Sequence, residues 1–170
     1  MNFLLLAMAL LSVPNPPPLV LTAENMEARL RAEDDGLHVS LEANTTGWVL
    51  LGLNGRDELG GSRLFMARVV DGVAQVEEHI ADPPNHAARP GVQVVSAAKG
   101  AESKGVTRVS FSIPWDPAGP GSPIKAATGG TWPGTALSAD GRYWVTLAWS
   151  HSDDLQHHSA MRTARWSKLR

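Results

Sequence analysis

Cysteine is absent from all 170 residues. That excludes disulfides, thiolate metal sites, a cysteine nucleophile, haem attached covalently through thioethers and a lipidated cysteine anchor. Charge of one sign is also lacking. Fifteen Lys and Arg stand against 17 Asp and Glu, for a net charge of −2 with histidines neutral. No basic stripe appears, so nucleic acid is not the expected partner. No apolar run approaches the ~20 residues of a membrane span, so no stable membrane anchor is expected. Internal repeats are absent, and helix-period patterning is nearly so, with Asp153–Met161 the one stretch that fits it. Tyrosine occurs once and phenylalanine three times, against six tryptophans. Tryptophan buries a large surface and carries one donor, which suits cores and ligand pockets alike; core packing is the plainer expectation for most of them.

A chain of this length reads as one domain able to hide ~70% of its unfolded surface. Its N-terminal run, Met1-Asn2-Phe3-Leu4-Leu5-Leu6-Ala7-Met8-Ala9-Leu10-Leu11-Ser12-Val13, has the length and composition of the apolar part of a secretory signal, although no Lys or Arg precedes it. Asn15-Pro16-Pro17-Pro18 then prevents a continuous helix. The expected division is a signal segment over 1–23 and a domain over 24–170, with export to the periplasm or the outside.

Past residue 24 the pattern is strands and turns. Met26–Ala32 and Leu37–Ala43 alternate apolar and polar residues around Asp34-Asp35-Gly36, a turn signal. Trp48–Leu53 is almost wholly apolar, as in a strand covered on both faces. Leu64–Val70 and Val73–Ile80 flank Asp71-Gly72, a strong hairpin signal. Val92–Ala98 and Val106–Ile113 flank a turn rich in Gly, Lys, Glu and Ser; Tyr143–Trp149 and Thr163–Leu169 complete the set. Trp115–Ala139, rich in Pro and Gly, reads as a long loop. Short strands at this spacing predict an all-β, antiparallel β-sandwich.

The chemistry concentrates in His151-Ser152-Asp153-Asp154-Leu155-Gln156-His157-His158-Ser159-Ala160-Met161-Arg162, which places three of the six histidines beside two carboxylates. The stretch follows an apolar strand, where a β-domain sets a ligand loop.

Several motifs resemble the DOMON family. Gly47-Trp48-Val49-Leu50-Leu51-Gly52-Leu53-Asn54 is similar to its "GWxxxGfn" strand, and Leu59-Gly60-Gly61-Ser62 with Asp71-Gly72 to its "MxGA…DG" stretch. Gly100 to Pro114 resembles "GxExxGxTxxxFxiP", and Asp153-Asp154, His157-His158-Ser159 and Arg162 resemble the closing "DD…HS…R". The motifs occur in the family's order and span about Met26 to Leu169. The resemblance implies an immunoglobulin-like sandwich, usually extracytoplasmic. Characterised relatives bind b-type haem through one methionine and one histidine and pass electrons to a redox partner; others are thought to recognise sugars or act as interaction modules. By position the histidine ligand falls on His158. The methionine falls on Leu59, which has no lone pair for iron.

Haem binding needs an apolar slot, here expected between the sheets, and a cation for the propionates. Trp48, Phe65, Trp144 and Trp149 are the candidate walls, His158 the iron ligand, and Arg162 or Arg63 the propionate partner. Met66, seven residues past Leu59, is the sulfur that could replace it, with core packing the plainer role. A metal held without haem would use Asp154 with His158, or Asp153 with His157, each four apart and on one face only if the segment is helical. A solvated loop is the simpler expectation. Ser152 or Ser159 near His157 makes no triad, because neighbours in sequence rarely face one another and no nucleophile elbow is present. The expectation is therefore a binding or electron-transfer module and not an autonomous enzyme. The alternative is a haem-free carbohydrate- or protein-binding module, with Trp115 and Trp132 as candidate sugar-stacking rings.

Overall fold

The computed structural model describes residues 17–82, 87–90, 94–116, 124–125, 131–132, 136–156 and 159–170. Thirteen strands and no helix occur among them: β1 Leu19–Ala23, β2 Met26–Ala32, β3 Gly36–Ala43, β4 Val49–Asn54, β5 Arg63–Val70, β6 Val73–Asp82, β7 Ala87–Pro90, β8 Ser96–Ser103, β9 Val106–Pro114, β10 Ile124–Lys125, β11 Thr131–Trp132, β12 Arg142–Trp149 and β13 Met161–Lys168. They form a β-sandwich. One sheet runs β1-β2-β3-β9-β8, the other β13-β12-β4-β5-β6-β7, and β10 pairs β11 apart from both.

Turn chemistry sets the register. Asp71 and Gly72 both have positive φ, at 51° and 76°, and bring Val70 opposite Val73. A two-residue turn with both φ positive matches the right-handed twist of its strands, which closes β5 onto β6 without a bulge. Lys104 and Gly105 do the same between β8 and β9, with φ of 54° and 75°.

Alternation fills the space between the sheets. Leu30, Val39, Leu41, Phe111 and Ile113 come from the five-stranded sheet, and Val49, Leu51, Leu53, Phe65, Val145, Leu147 and Trp149 from the six-stranded one. Phe65 and Phe111 meet across the gap with ring centroids 6.1 Å apart. The inter-sheet space is therefore packed with side chains. Phe65 and Trp149 belong to this core, whereas Trp48 does not. Trp144 shares the strand parity of Thr146 and Ala148, opposite to that of Val145 and Leu147. The expected slot between sheets walled by these four rings does not form, because they point to opposite faces.

Arg63 is also committed to the interior. It is 1% exposed; its Nε donates to Glu78 Oε1 at 2.7 Å and its Nη1 to Asp116 Oδ2 at 2.7 Å. The backbone N–H groups of Leu137 and Val94 complete the two carboxylates, at 2.7 and 3.4 Å. A guanidinium held this way cannot serve a propionate, which removes Arg63 from the candidate ligands.

Three further segments bear on the sequence reading. Leu19–Ala23, inside the stretch read as a signal segment, forms β1 and pairs antiparallel with β2. Trp115–Ala139 contains the small β10–β11 hairpin as well as loop. The strand expected over Val92–Ala98 runs instead from Ser96 to Ser103. Gly100, read as part of a turn, lies in that strand, where a Cβ would stand 2.7 Å from the Arg108 carbonyl oxygen.

Candidate functional site

The outward face of a sandwich sheet is ordinarily polar. On the six-stranded sheet it is apolar along the centre. Trp48, Leu50, Leu64, Met66, Ala81 and Ala148 form a second buried cluster, separate from the inter-sheet core, with exposures of 0–6%. This explains why β4 is buried at all six positions: Val49, Leu51 and Leu53 face the core while Leu50 faces the second cluster.

Two loops cover the patch. The first, between β4 and β5, is shaped by Asn54, whose Nδ2 donates to the Glu58 and Gly60 carbonyls at 2.8 and 3.0 Å and whose Oδ1 accepts from Arg56 N at 3.2 Å. It lays the half-buried Leu59 against the cluster. The second follows β12. It starts close to Gly47, where a Cβ would come within 2.4 Å of Ser150 O and Ser152 N. Trp48 N donates to Ser152 O at 3.1 Å, Trp48 Nε1 to Asp154 O at 3.1 Å, and Arg68 Nη1 to Asp153 O at 2.7 Å. Leu155 then packs on the cluster. Burial pushes the Asp153 carboxyl above its ordinary range, and the nearby Arg68 opposes the shift.

This second loop is not helical through Gln156. Ser150 Oγ accepts from Ser152 N at 3.2 Å, Ser152 Oγ from Asp154 N at 3.1 Å, and Asp154 Oδ1 from Gln156 N at 2.9 Å. Side-chain oxygens that capture backbone N–H groups two residues on compete directly with a helix. The helical face needed to pair Asp153 or Asp154 with a histidine four residues on is therefore not formed over the described part of the loop.

Beside the patch, Asp57, Glu58, Leu59, Trp144, Thr146 and Arg162 line a cleft of about 170 Å³. Arg162 reaches it from β13, where it lies opposite Ala148, and is exposed. The structure thus brings Trp48, Met66, Leu59 and Arg162, four positions singled out in the sequence, to one face of one sheet. His157 and His158 lie outside the described residues. Met66 is buried as expected, but in the outer cluster and not between the sheets.

His79 lies too far in sequence from the 151–162 stretch to count as a ligand without a structure. It sits on β6 opposite Leu64, whose side chain is in the outer cluster. It is 7% exposed, and neither ring nitrogen makes a hydrogen bond. The available signal was parity: Gln75, Glu77 and His79 share a face, and Asp71-Gly72 fixes which residues of β5 they meet.

The opposite side of the molecule carries a larger concavity of about 460 Å³, whose lining includes Arg29, Ser40, Glu42, Lys99, Arg108 and Ser110. No aromatic ring lines it. Trp115 is half-buried, with its Nε1 donating to the Glu33 carbonyl at 2.7 Å, so its ring is pinned and not offered to solvent. The side chain of Trp132 lies outside the description. At the β2–β3 turn, His38 Nε2 stands 2.9 Å from Asp35 Oδ1 and 3.6 Å from Glu33 Oε2. The hydrogen bond from His38 holds the exposed Asp35 carboxyl below its ordinary value.

Comparison with known protein families, with characterised proteins and with solved structures finds no match to this chain.

Proposed function

We propose that the protein is an extracytoplasmic DOMON-like module that binds b-type haem on the outer face of its six-stranded sheet and serves a partner oxidoreductase by electron transfer. One observation carries the reading: the loop bearing Leu59 and the loop leading to His158 meet over the same apolar patch, with Arg162 at its rim. Leu59 and His158 are the positions where the family resemblance puts the two axial ligands, and Arg162 is a cation placed to meet a propionate.

The residues fit the group in part. Trp48, Leu50, Leu64, Met66 and Ala148 supply an apolar floor. Arg162 offers the planar fork that suits a carboxylate. Bound haem would supply a one-electron couple whose potential the surrounding burial and ligands set. Leu59 gives no ligand, so His158 would be the protein ligand that this reading assigns to the iron. The cleft of about 170 Å³ is well short of the ~300–1,000 Å³ of small-molecule pockets, so the β4–β5 loop that lines it with Asp57, Glu58 and Leu59 has to lift for haem to enter.

Titrating haem into the purified protein tests this. The expected result is one equivalent bound with a Soret band, lost in His158→Ala, retained in His157→Ala and weakened in Arg162→Ala. Absence of uptake by the wild-type protein would overturn it.

A second reading, a haem-free module for carbohydrate or a partner protein, draws on Leu59 and on the concavity of the other sheet. Serines and charged groups there supply hydrogen bonds, without a ring for stacking. Uptake of an oligosaccharide that Arg108→Ala abolishes would favour it.

A further inference from the structure

We infer that His79, Glu77 and Met66 form a copper-binding site on the outer face of the six-stranded sheet, sharing Met66 with the apolar floor of the haem reading but resting on separate observations. An imidazole buried without hydrogen bonds forfeits its polar contacts, at a cost that a ligand would relieve. His79 is in this position, 93% buried by its 7% exposure, with Nδ1 and Nε2 both unbonded. Its Nε2 stands 3.4 Å from Glu77 Oε2 without making a hydrogen bond. That separation is the edge of a coordination tetrahedron: two ligands about 2.1 Å from one metal ion at the tetrahedral angle lie about 3.4 Å apart. The other oxygen of Glu77 is turned to Arg68 Nη2, also at 3.4 Å, which orients the carboxylate and leaves Oε2 for the ion.

The third ligand selects the metal. Met66 lies directly opposite Glu77 and diagonal to His79, which sits opposite Leu64 two positions along. Diagonal neighbours on one sheet face are within reach of long side chains. A thioether beside an imidazole is a soft donor pair that favours Cu(I), while imidazole and carboxylate together suit Cu(II). Zinc and the harder divalent ions have no use for the sulfur. Leu50, Leu64 and Ala148 around Met66 exclude water from the thioether side.

The test uses the full chain in a His38→Gln background, which removes the imidazole of the exposed Glu33–Asp35–His38 cluster at the β2–β3 turn, the competing cation site among the described residues. Cu(I) is titrated in competition with bicinchoninate, and Cu(II) is followed by electron paramagnetic resonance without haem. The expected result is one equivalent of copper, nitrogen hyperfine structure from one imidazole, and a melting temperature that rises with copper. His79→Gln should lose both ions by about tenfold or more, since loss even of an outer partner costs about 10–100-fold. Met66→Leu should weaken Cu(I) by about tenfold or more and leave Cu(II) nearly unchanged. Failure of wild type to take up copper, or uptake that survives His79→Gln, overturns the site. If His79→Gln does not fold, Met66→Leu decides: equal Cu(I) affinity in wild type and variant refutes the thioether ligand and with it the proposal. A His79→Gln protein that binds copper normally but no longer takes up haem would assign His79 to haem and likewise overturn it.

Discussion

Trp48 joins the two levels of the site. Its ring is part of the outer apolar cluster and its Nε1 holds the Asp154 carbonyl of the covering loop. Trp48→Phe keeps most of the apolar area and loses the hydrogen bond, so it should cost about 1 kcal/mol. Trp48→Ala also opens a cavity and should cost about 3–5 kcal/mol. Urea denaturation of both variants checks the pair; equal costs would mean the indole N–H does nothing. Arg63 makes a contrasting case. Arg63→Met removes a buried ion pair with Glu78 and should cost about 3–5 kcal/mol, whereas Arg63→Met with Glu78→Leu should recover part of that. Additive losses in the double variant would contradict the pairing. Arg63 was read as a propionate partner because a lone Arg at a strand start gives no sign of burial. Its partners Glu78 and Asp116 lie 15 and 53 residues away, and only the closed sandwich brings them together.

At the scale of elements, the strands that alternate or carry a two-residue turn were legible: β2 ends where the alternation ends, and Asp71-Gly72 sits at the β5–β6 turn. The strands that escaped had no such signal. β8, although the two-residue Lys104-Gly105 turn joins it to β9, is an exposed edge strand with no apolar alternation, and its Gly100 read as part of the turn. Gly100→Val should therefore behave as a core lesion on an edge strand, lowering the melting temperature by several degrees through the contact with Arg108 O; an unchanged melting curve would show that β8 yields freely. The 150–156 loop makes a pH prediction. Burial raises the Asp153 carboxyl, so the folded state holds its proton more tightly than the unfolded chain. Stability is thus lost as pH rises through the carboxylate range, and the loss persists at neutral pH. Asp153→Asn should melt higher than wild type at neutral pH, with the gap closing as pH falls below about 4. A gap that widens in acid would reverse the sign and contradict the burial argument.

For the whole molecule, sandwich architecture was readable from strand spacing and turns, and the apolar character of Trp48–Leu53 already implied cover on both faces. What that cover consisted of was not readable, because it comes from loops that follow β4 and β12, about 100 residues apart in sequence. The signal reading has a structural consequence. Leu19–Ala23 is paired residue by residue with Met26–Leu30, so removal of the chain through Ala23 would strip an edge strand from the five-stranded sheet. If the chain is exported and cleaved, the mature N-terminus should lie before Leu19; mass spectrometry that finds cleavage after Ala23 would contradict this. The central claim is that the apolar outer face of the six-stranded sheet, under its two loops, is the ligand site. Amide hydrogen exchange with and without haem tests it most directly. The account predicts added protection in residues 55–62, in 150–156 and along β4 and β5, with β2, β3 and β9 unchanged. Protection confined to β3 and β9, beneath the concavity of the five-stranded sheet, or no change anywhere, would contradict it.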